Sequence, residues 1–218
     1  LVIKFRVAGN LRFLSHAETL NLFQRACVRA RIGVQYSQGF NPRPKMSLPL
    51  PRPVGVESDE ELFCLRVAGV PDELRVTSYE SRIQEKLSAQ LPEGCELLSV
   101  SVARAGRSFQ PSSATYVLAV KAEYLDDKLK ATIERLLASE NLNIQRKAGI
   151  KLSKVKNLDV RVFLKSIKLE NRSIIVECNI SSAGSIRVDE VLGLLELDEG
   201  KLASPVRRTN VQWQVNES

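Results

Sequence analysis

The chain has 218 residues, 44% of them hydrophobic, and a formal charge of +7, which is enough apolar content to bury a real core in one large or two small domains. Its longest apolar runs are only a few residues, far short of the roughly 20 a membrane-spanning helix needs, and the N-terminus lacks a signal-peptide layout, so no membrane role and a cytoplasmic location are expected. The charge is uneven: residues 1–56 carry nine basic side chains against one acid, Glu18, while the remaining 162 carry 23 basic and 24 acidic ones. Such a concentration is the footprint expected of a site for a polyanion.

Residues 1–7 alternate as a strand does, with Leu1, Ile3, Phe5 and Val7 on one face. Gly9-Asn10 turns the chain, and Ser15 precedes Glu18 by three, the spacing of a capping box that starts a helix over residues 15–31. Leu20, Phe23, Cys27 and Ala30 form its apolar stripe, Arg25 and Arg29 lie on another face, and Gly33 is the expected stop. A short strand at 34–36, the loop Ser37 to Lys45, an extended stretch, a strand at 61–67, a helix at 77–90 and a strand at 96–104 follow.

Small, polar and proline residues mark 106–114 as a linker between domains at 1–105 and 115–218. Beyond it the pattern predicts a strand at 116–122, a helix at 126–138, and strand-like segments near 142–152, 160–169 and 173–180. A short helix near 187–195 and a strand at 206–215 complete the chain. Both halves read as β-α-β-β-α-β, with one strand too many in the second. The expected fold class is α+β: two tandem ferredoxin-like sandwiches with antiparallel sheets.

The loop Ser37-Gln38-Gly39-Phe40-Asn41-Pro42-Arg43-Pro44-Lys45 combines stiffening prolines with cations and aromatics. Arg43 and Lys45 are expected to neutralise phosphate, and Tyr36, Phe40 and Asn41 to meet unpaired bases, unless Phe40 plugs the core. Arg12, Arg25 and Arg29 would extend this surface. His16, the only histidine, would sit at the first helical position, to contact phosphate, to act as the base of a metal-independent endoribonuclease, or merely to orient the helix. Arg207 and Arg208 are either phosphate contacts or strand anchors, and a second basic run from Arg146 to Lys168 is either more of the surface or a solvated face. Cys27, Cys64, Cys95 and Cys178 are scattered with no C-x-x-C pair, which argues against a zinc site or a disulfide framework, and no metal-ligand spacing surrounds Asp159 or Asp189.

The runs L-R-F-L-S-H, F-Q-R-A at Phe23 to Ala26, Y-S-Q-G-F-N-P at Tyr36 to Pro42 and P-V-G-V-E-S-D-E-E at Pro53 to Glu61 resemble the radical-SAM-linked family of unknown function. L-D-V-R at Leu158 to Arg161, S-I-R-V-D-E-V-L at Ser185 to Leu192 and V-R-R-T at Val206 to Thr209 resemble it too. The sequence departs from that pattern at Ala17-Glu18, where Leu-Asp is typical, and at Arg43, where histidine is typical. The resemblance implies an association with radical S-adenosylmethionine chemistry, yet the C-x-x-x-C-x-x-C motif is absent, so the iron–sulfur cluster and S-adenosylmethionine are expected on a separate partner enzyme and no cofactor on this chain. The resulting expectation is an RNA-binding accessory protein, rather than an enzyme itself, that recognises or presents tRNA or rRNA to that enzyme. The alternatives are the His16 endoribonuclease and a module docking an acidic protein.

Overall fold

A computed structural model describes residues 1–70, 75–104, 106–148 and 154–216. The chain divides into two units, Leu1–Gln110 with Trp213–Ser218, and Pro111–Gln212. Among the described residues there are four α-helices and a mostly antiparallel sheet arrangement, and no helix is long and apolar enough to cross a membrane.

In unit 1 the order is β1 (Val2–Val7), α1 (His16–Arg29), β2 (Met46–Ser47), β3 (Glu57–Leu65), α2 (Val76–Ser88) and β4 (Cys95–Ser101). The strands lie side by side as β4-β1-β3-β2, each pair antiparallel. Alternation along β1 sends Ile3, Phe5 and Val7 into the core, and the register Ile3 opposite Phe63 puts β3's Phe63 beside them. Phe23 of α1 closes the cluster, edge-on to Phe5 at 4.7 Å and stacked on Phe63 at 4.3 Å between centroids. α2 adds Ile83 and Leu87.

The capping box is present, with Ser15 Oγ accepting from the Glu18 amide and Glu18 accepting from the Ser15 amide. Gly33 is not the stop. Arg31 takes the left-handed position at φ 54°, and the amides of Arg31 and Ile32 donate to the carbonyls of Val28 and Cys27, which satisfies two last-turn acceptors while Ile32 is buried. Gly94, at φ 87°, accepts a hydrogen bond from the Ala8 amide at 2.8 Å; a side chain there would place its Cβ 2.6 Å from the Ala8 carbonyl oxygen.

Unit 2 is built on β5 (Ser108–Ala119), α3 (Asp127–Ala138), β6 (Asn143–Ala148), β7 (Lys154–Asp159), β8 (Leu164–Glu170), β9 (Ser173–Asn179), α4 (Val188–Leu194) and β10 (Arg207–Asn216). Two of these strands cross the unit boundary, β5 at its first residues and β10 at its last. The stretch read as a linker at 106–114 is mostly β5; Ser108 and Gln110 are exposed, Ser113 is small enough to be buried, and Ala114, Tyr116 and Leu118 turn inward. Strand order is β10-β5-β9-β8, and the supernumerary segment near 142–152 is β6 over its described part, paired with β7 in a separate two-stranded sheet, while residues 149–152 lie outside the described residues. Asn171 and Arg172, both at positive φ, make the tight turn between β8 and β9.

Candidate nucleic-acid interface

After the Arg31 turn the chain runs out along the edge of β3 and returns as a second hairpin. Val34 bridges Val67, and Tyr36 bridges Pro44. The Ser37 amide donates to the Arg43 carbonyl at 2.8 Å, the Arg43 amide returns to Ser37 Oγ at 2.9 Å, and the Lys45 amide donates to the Gln35 carbonyl at 2.8 Å. The base is tied to the sheet by the Gln35 amide donating to Arg66 and the Arg66 amide donating to Lys45. Pro42 and Pro44 bring fixed φ and no amide to leave unsatisfied, and Gly39 at φ 122° supplies the bend of the tip.

Phe40 stands at this tip with a relative exposure of 105%, so the sequence alternative in which it plugs the core does not hold. Burying such a ring is worth about 1.5–3 kcal/mol, a gain that the isolated chain leaves unrealised. Asn41 and Arg43 are exposed next to it, Tyr36 is partly exposed at the stem, and Lys45 is half-buried where the hairpin rejoins the sheet. The loop therefore gathers Tyr36, Phe40, Asn41, Arg43 and Lys45 into one stiff projection.

The other N-terminal cations divide sharply. Lys4 pairs with Glu60 at 2.8 Å and Arg6 with Glu96 at 3.3 Å. Arg12 lies 4.3 Å over the Phe13 ring and donates to the Gly9 carbonyl, and Arg29 donates to the Gln90 carbonyl at 2.7 Å. Arg52 is committed to backbone: its guanidinium donates to the carbonyls of Leu11, Arg12, Leu14, Pro53 and Val56, joining the turn before α1 to the proline-rich stretch. Arg52 counts toward the N-terminal charge excess, but three of the carbonyls it binds belong to the turn before α1, a contact that no local spacing announces. Among the described residues, the side chains of Arg25, Arg31, Arg43 and Lys45 have no hydrogen-bond or ion-pair partner.

His16 opens α1, but its half-buried ring lines a void of only about 10 Å³ with Phe5, Thr19, Leu48, Leu50, Arg52 and Glu61, and its Nδ1 is buried with no hydrogen-bond partner. That space is about the size of a single water. Arg207 is exposed on β10, whereas Arg208 is fully buried, so the anchor alternative describes Arg208 and the phosphate alternative does not.

Three members of the second basic run, Arg146, Arg161 and Lys165, are held by internal partners, and Lys168 is exposed. Arg146 grips Glu190 through two 2.7 Å bonds and donates to the Ser185 carbonyl. Burial pushes Glu190 up, but the hydrogen bonds from Arg146 and from the Arg187 amide outweigh it and hold the carboxyl below its ordinary value. Arg161 donates to the carbonyls of Ser139, Leu164 and Leu137, and Lys165 pairs with Glu177 at 2.6 Å. Asp159 accepts from the amides of Leu142 and Arg161, which lower its pKa. Lys151 lies outside the described residues.

Burial pushes the thiols of Cys27 to about 11 and of Cys178 to about 12; Cys95 reaches about 12 for the same reason, against the opposing charge of Arg52. Among the described residues no three His, Cys, Asp or Glu side chains come together as metal ligands.

A protein-family model described as "Uncharacterized protein conserved in bacteria (DUF2344)" matches residues 1–189. No curated protein matches the chain.

Proposed function

The chain belongs to this bacterial family of uncharacterized proteins, and from that premise we propose that it is an RNA-binding accessory protein whose hairpin Gln35–Lys45 holds single-stranded segments of tRNA or rRNA for a separate radical S-adenosylmethionine enzyme. The observation that carries the reading is Phe40, wholly exposed at the tip of a braced hairpin and followed three residues later by the exposed Arg43. A π-face beside a cation is the arrangement that stacks a base while neutralising its phosphate, and a hairpin already fixed by cross-links loses little entropy on binding. Arg25 and Arg31 supply further unpaired charge on and just after α1. The partner enzyme enters through the sequence resemblance, and the iron–sulfur cluster and S-adenosylmethionine belong to it in this reading. Both units are read as ferredoxin-like sandwiches: β4-β1-β3-β2 in unit 1 and β10-β5-β9-β8 in unit 2 support a shared plan, with the β6–β7 hairpin as an insertion.

The test is retention of total cellular RNA and of a single-stranded oligonucleotide at several salt concentrations, with the recovered RNA sized. Binding that weakens steeply with salt is expected, and replacing Arg43 and Lys45 together by alanine should lower the slope of log K against log salt by about 1.5. Unchanged affinity and slope in that variant would overturn the assignment, and shortened RNA whose formation is lost in His16→Ala would replace it with the nuclease.

A further inference from the structure

Unit 1 holds a cleft of about 680 Å³ that none of the sequence motifs announced. Val2 and Cys64 sit opposite each other in the β1–β3 register and alternate with the core residues Ile3 and Phe63, so they mark the sheet face turned away from the core cluster. Val102 and Phe109 continue this apolar lining, while Met46, opposite the core residue Leu65, borders the cleft but packs against the core. Among the described residues Lys45, Arg66, Arg104 and Arg107 line the same space and no Asp or Glu does; Arg107 is engaged in an interaction of its own. Gln35, Ser47 and Ser108 add neutral hydrogen-bonding groups.

This combination selects a ligand class. The positive groups of Lys45, Arg66 and Arg104, with no carboxylate among the described lining residues, favour an anion over a cation. An apolar floor calls for a ligand with a flat or apolar body, and hydroxyls and an amide along the wall suit a heterocycle with polar edges better than a hydrocarbon chain, which would leave them unpaired. The volume lies within the roughly 300–1,000 Å³ of small-molecule sites and is ample for one nucleotide. We propose that this cleft binds a nucleoside 5′-phosphate, the base against Val2 and Phe109 and the phosphate between Arg66 and Arg104. The ligand is either a free mononucleotide or one nucleotide of an RNA strand, because Lys45 belongs both to the cleft wall and to the stem of the Phe40 hairpin.

Cys64, half-buried in the lining, provides the readout. On the intact chain, alkylation of each cysteine by a thiol reagent is followed by peptide mass spectrometry with the four ribonucleoside 5′-monophosphates, with ribose 5-phosphate, with adenosine, and with a single-stranded oligoribonucleotide. A monophosphate at about ten times its dissociation constant should slow Cys64 alkylation about tenfold. Cys95, which does not line the cleft, should be unaffected, and neither ribose 5-phosphate nor adenosine should match the effect. Protection should disappear in the double variant Arg66→Glu, Arg104→Glu, two exposed positions whose fold is checked by circular dichroism. Protection by monophosphates alone assigns the site to a free nucleotide; protection by the oligonucleotide that is lost in Phe40→Ala assigns it to an RNA strand. If neither protects Cys64, the cleft assignment is overturned, and salt-dependent RNA retention then still stands or falls by itself. Conversely, monophosphate protection without RNA retention keeps the cleft and removes the RNA-binding reading.

Discussion

The hairpin from Gln35 to Lys45 and the hairpin of β6 and β7 are both basic two-stranded ribbons, and their arginines are used in opposite ways. Arg43 projects from the first with no side-chain partner among the described residues, beside an aromatic ring left wholly in water. Arg146, on the second, is turned inward and spent on Glu190 and the Ser185 carbonyl. A positive residue has a free hand for a ligand only after its internal acceptors have been counted. By that count the N-terminal charge excess narrows to Arg25, Arg31, Arg43 and Lys45, and the second basic run loses Arg146, Arg161 and Lys165.

Removing Arg146 should break the contrast most visibly. Arg146→Ala leaves Glu190, whose side chain is 11% exposed, without its charge partner, and should cost about 3 kcal/mol in urea denaturation with RNA affinity unchanged. A loss below about 0.5 kcal/mol, the range of an ordinary surface substitution, would mean that the pair is not structural. Arg52→Ala, which orphans several carbonyls, should cost about 2 kcal/mol, and Arg52→Lys should restore only part of it because an ammonium cannot fan out to as many acceptors. Phe40→Ala should show the inverse pattern: RNA affinity lower by about tenfold, from a lost stacking term of about 1–2 kcal/mol, with an unchanged melting temperature. A drop in melting temperature without loss of affinity would return Phe40 to a structural role.

The smallest effect separates the two hairpins by acid. Glu190 has its folded pKa held below the unfolded value, so its contribution to stability is complete above about pH 5 and is lost as pH falls through the folded value. Melting temperature should therefore decline on acidification in the native chain and decline less in Glu190→Gln. Binding by Arg43 and Lys45 involves no carboxylate on the hairpin and should not follow that profile.

Much of the fold was legible in the residues. The Ser15–Glu18 capping box, the stripe of Phe23 and Cys27, and the alternation of Ile3, Phe5 and Val7 are local patterns, and local patterns fix local structure. Helix termination was misassigned to Gly33 because the fold holds Arg31 in a left-handed conformation that composition disfavours. The start of β5 was hidden by the same Ser and Pro content that marks linkers. At the candidate site the loop itself was conspicuous, but the exposure of Phe40 and the burial of Arg208 depend on what the rest of the chain packs against. No spacing rule reports that. The cleft was invisible for a related reason: it is assembled from segments near residues 2, 46, 65 and 104 that share no motif.

The amides of Gln35, Lys45 and Arg66 donate in a closed ring, each to the carbonyl of the next strand around: Gln35 to Arg66, Arg66 to Lys45, Lys45 to Gln35. The three segments separate only when all three bonds break, since losing one leaves the other two to hold them in place. The hairpin stem and the wall of the cleft consequently share a single opening event, and their three amides should exchange with deuterated solvent at one common rate. Whatever tightens the hairpin at its tip would then also be felt, mechanically, as slower exchange at Arg66.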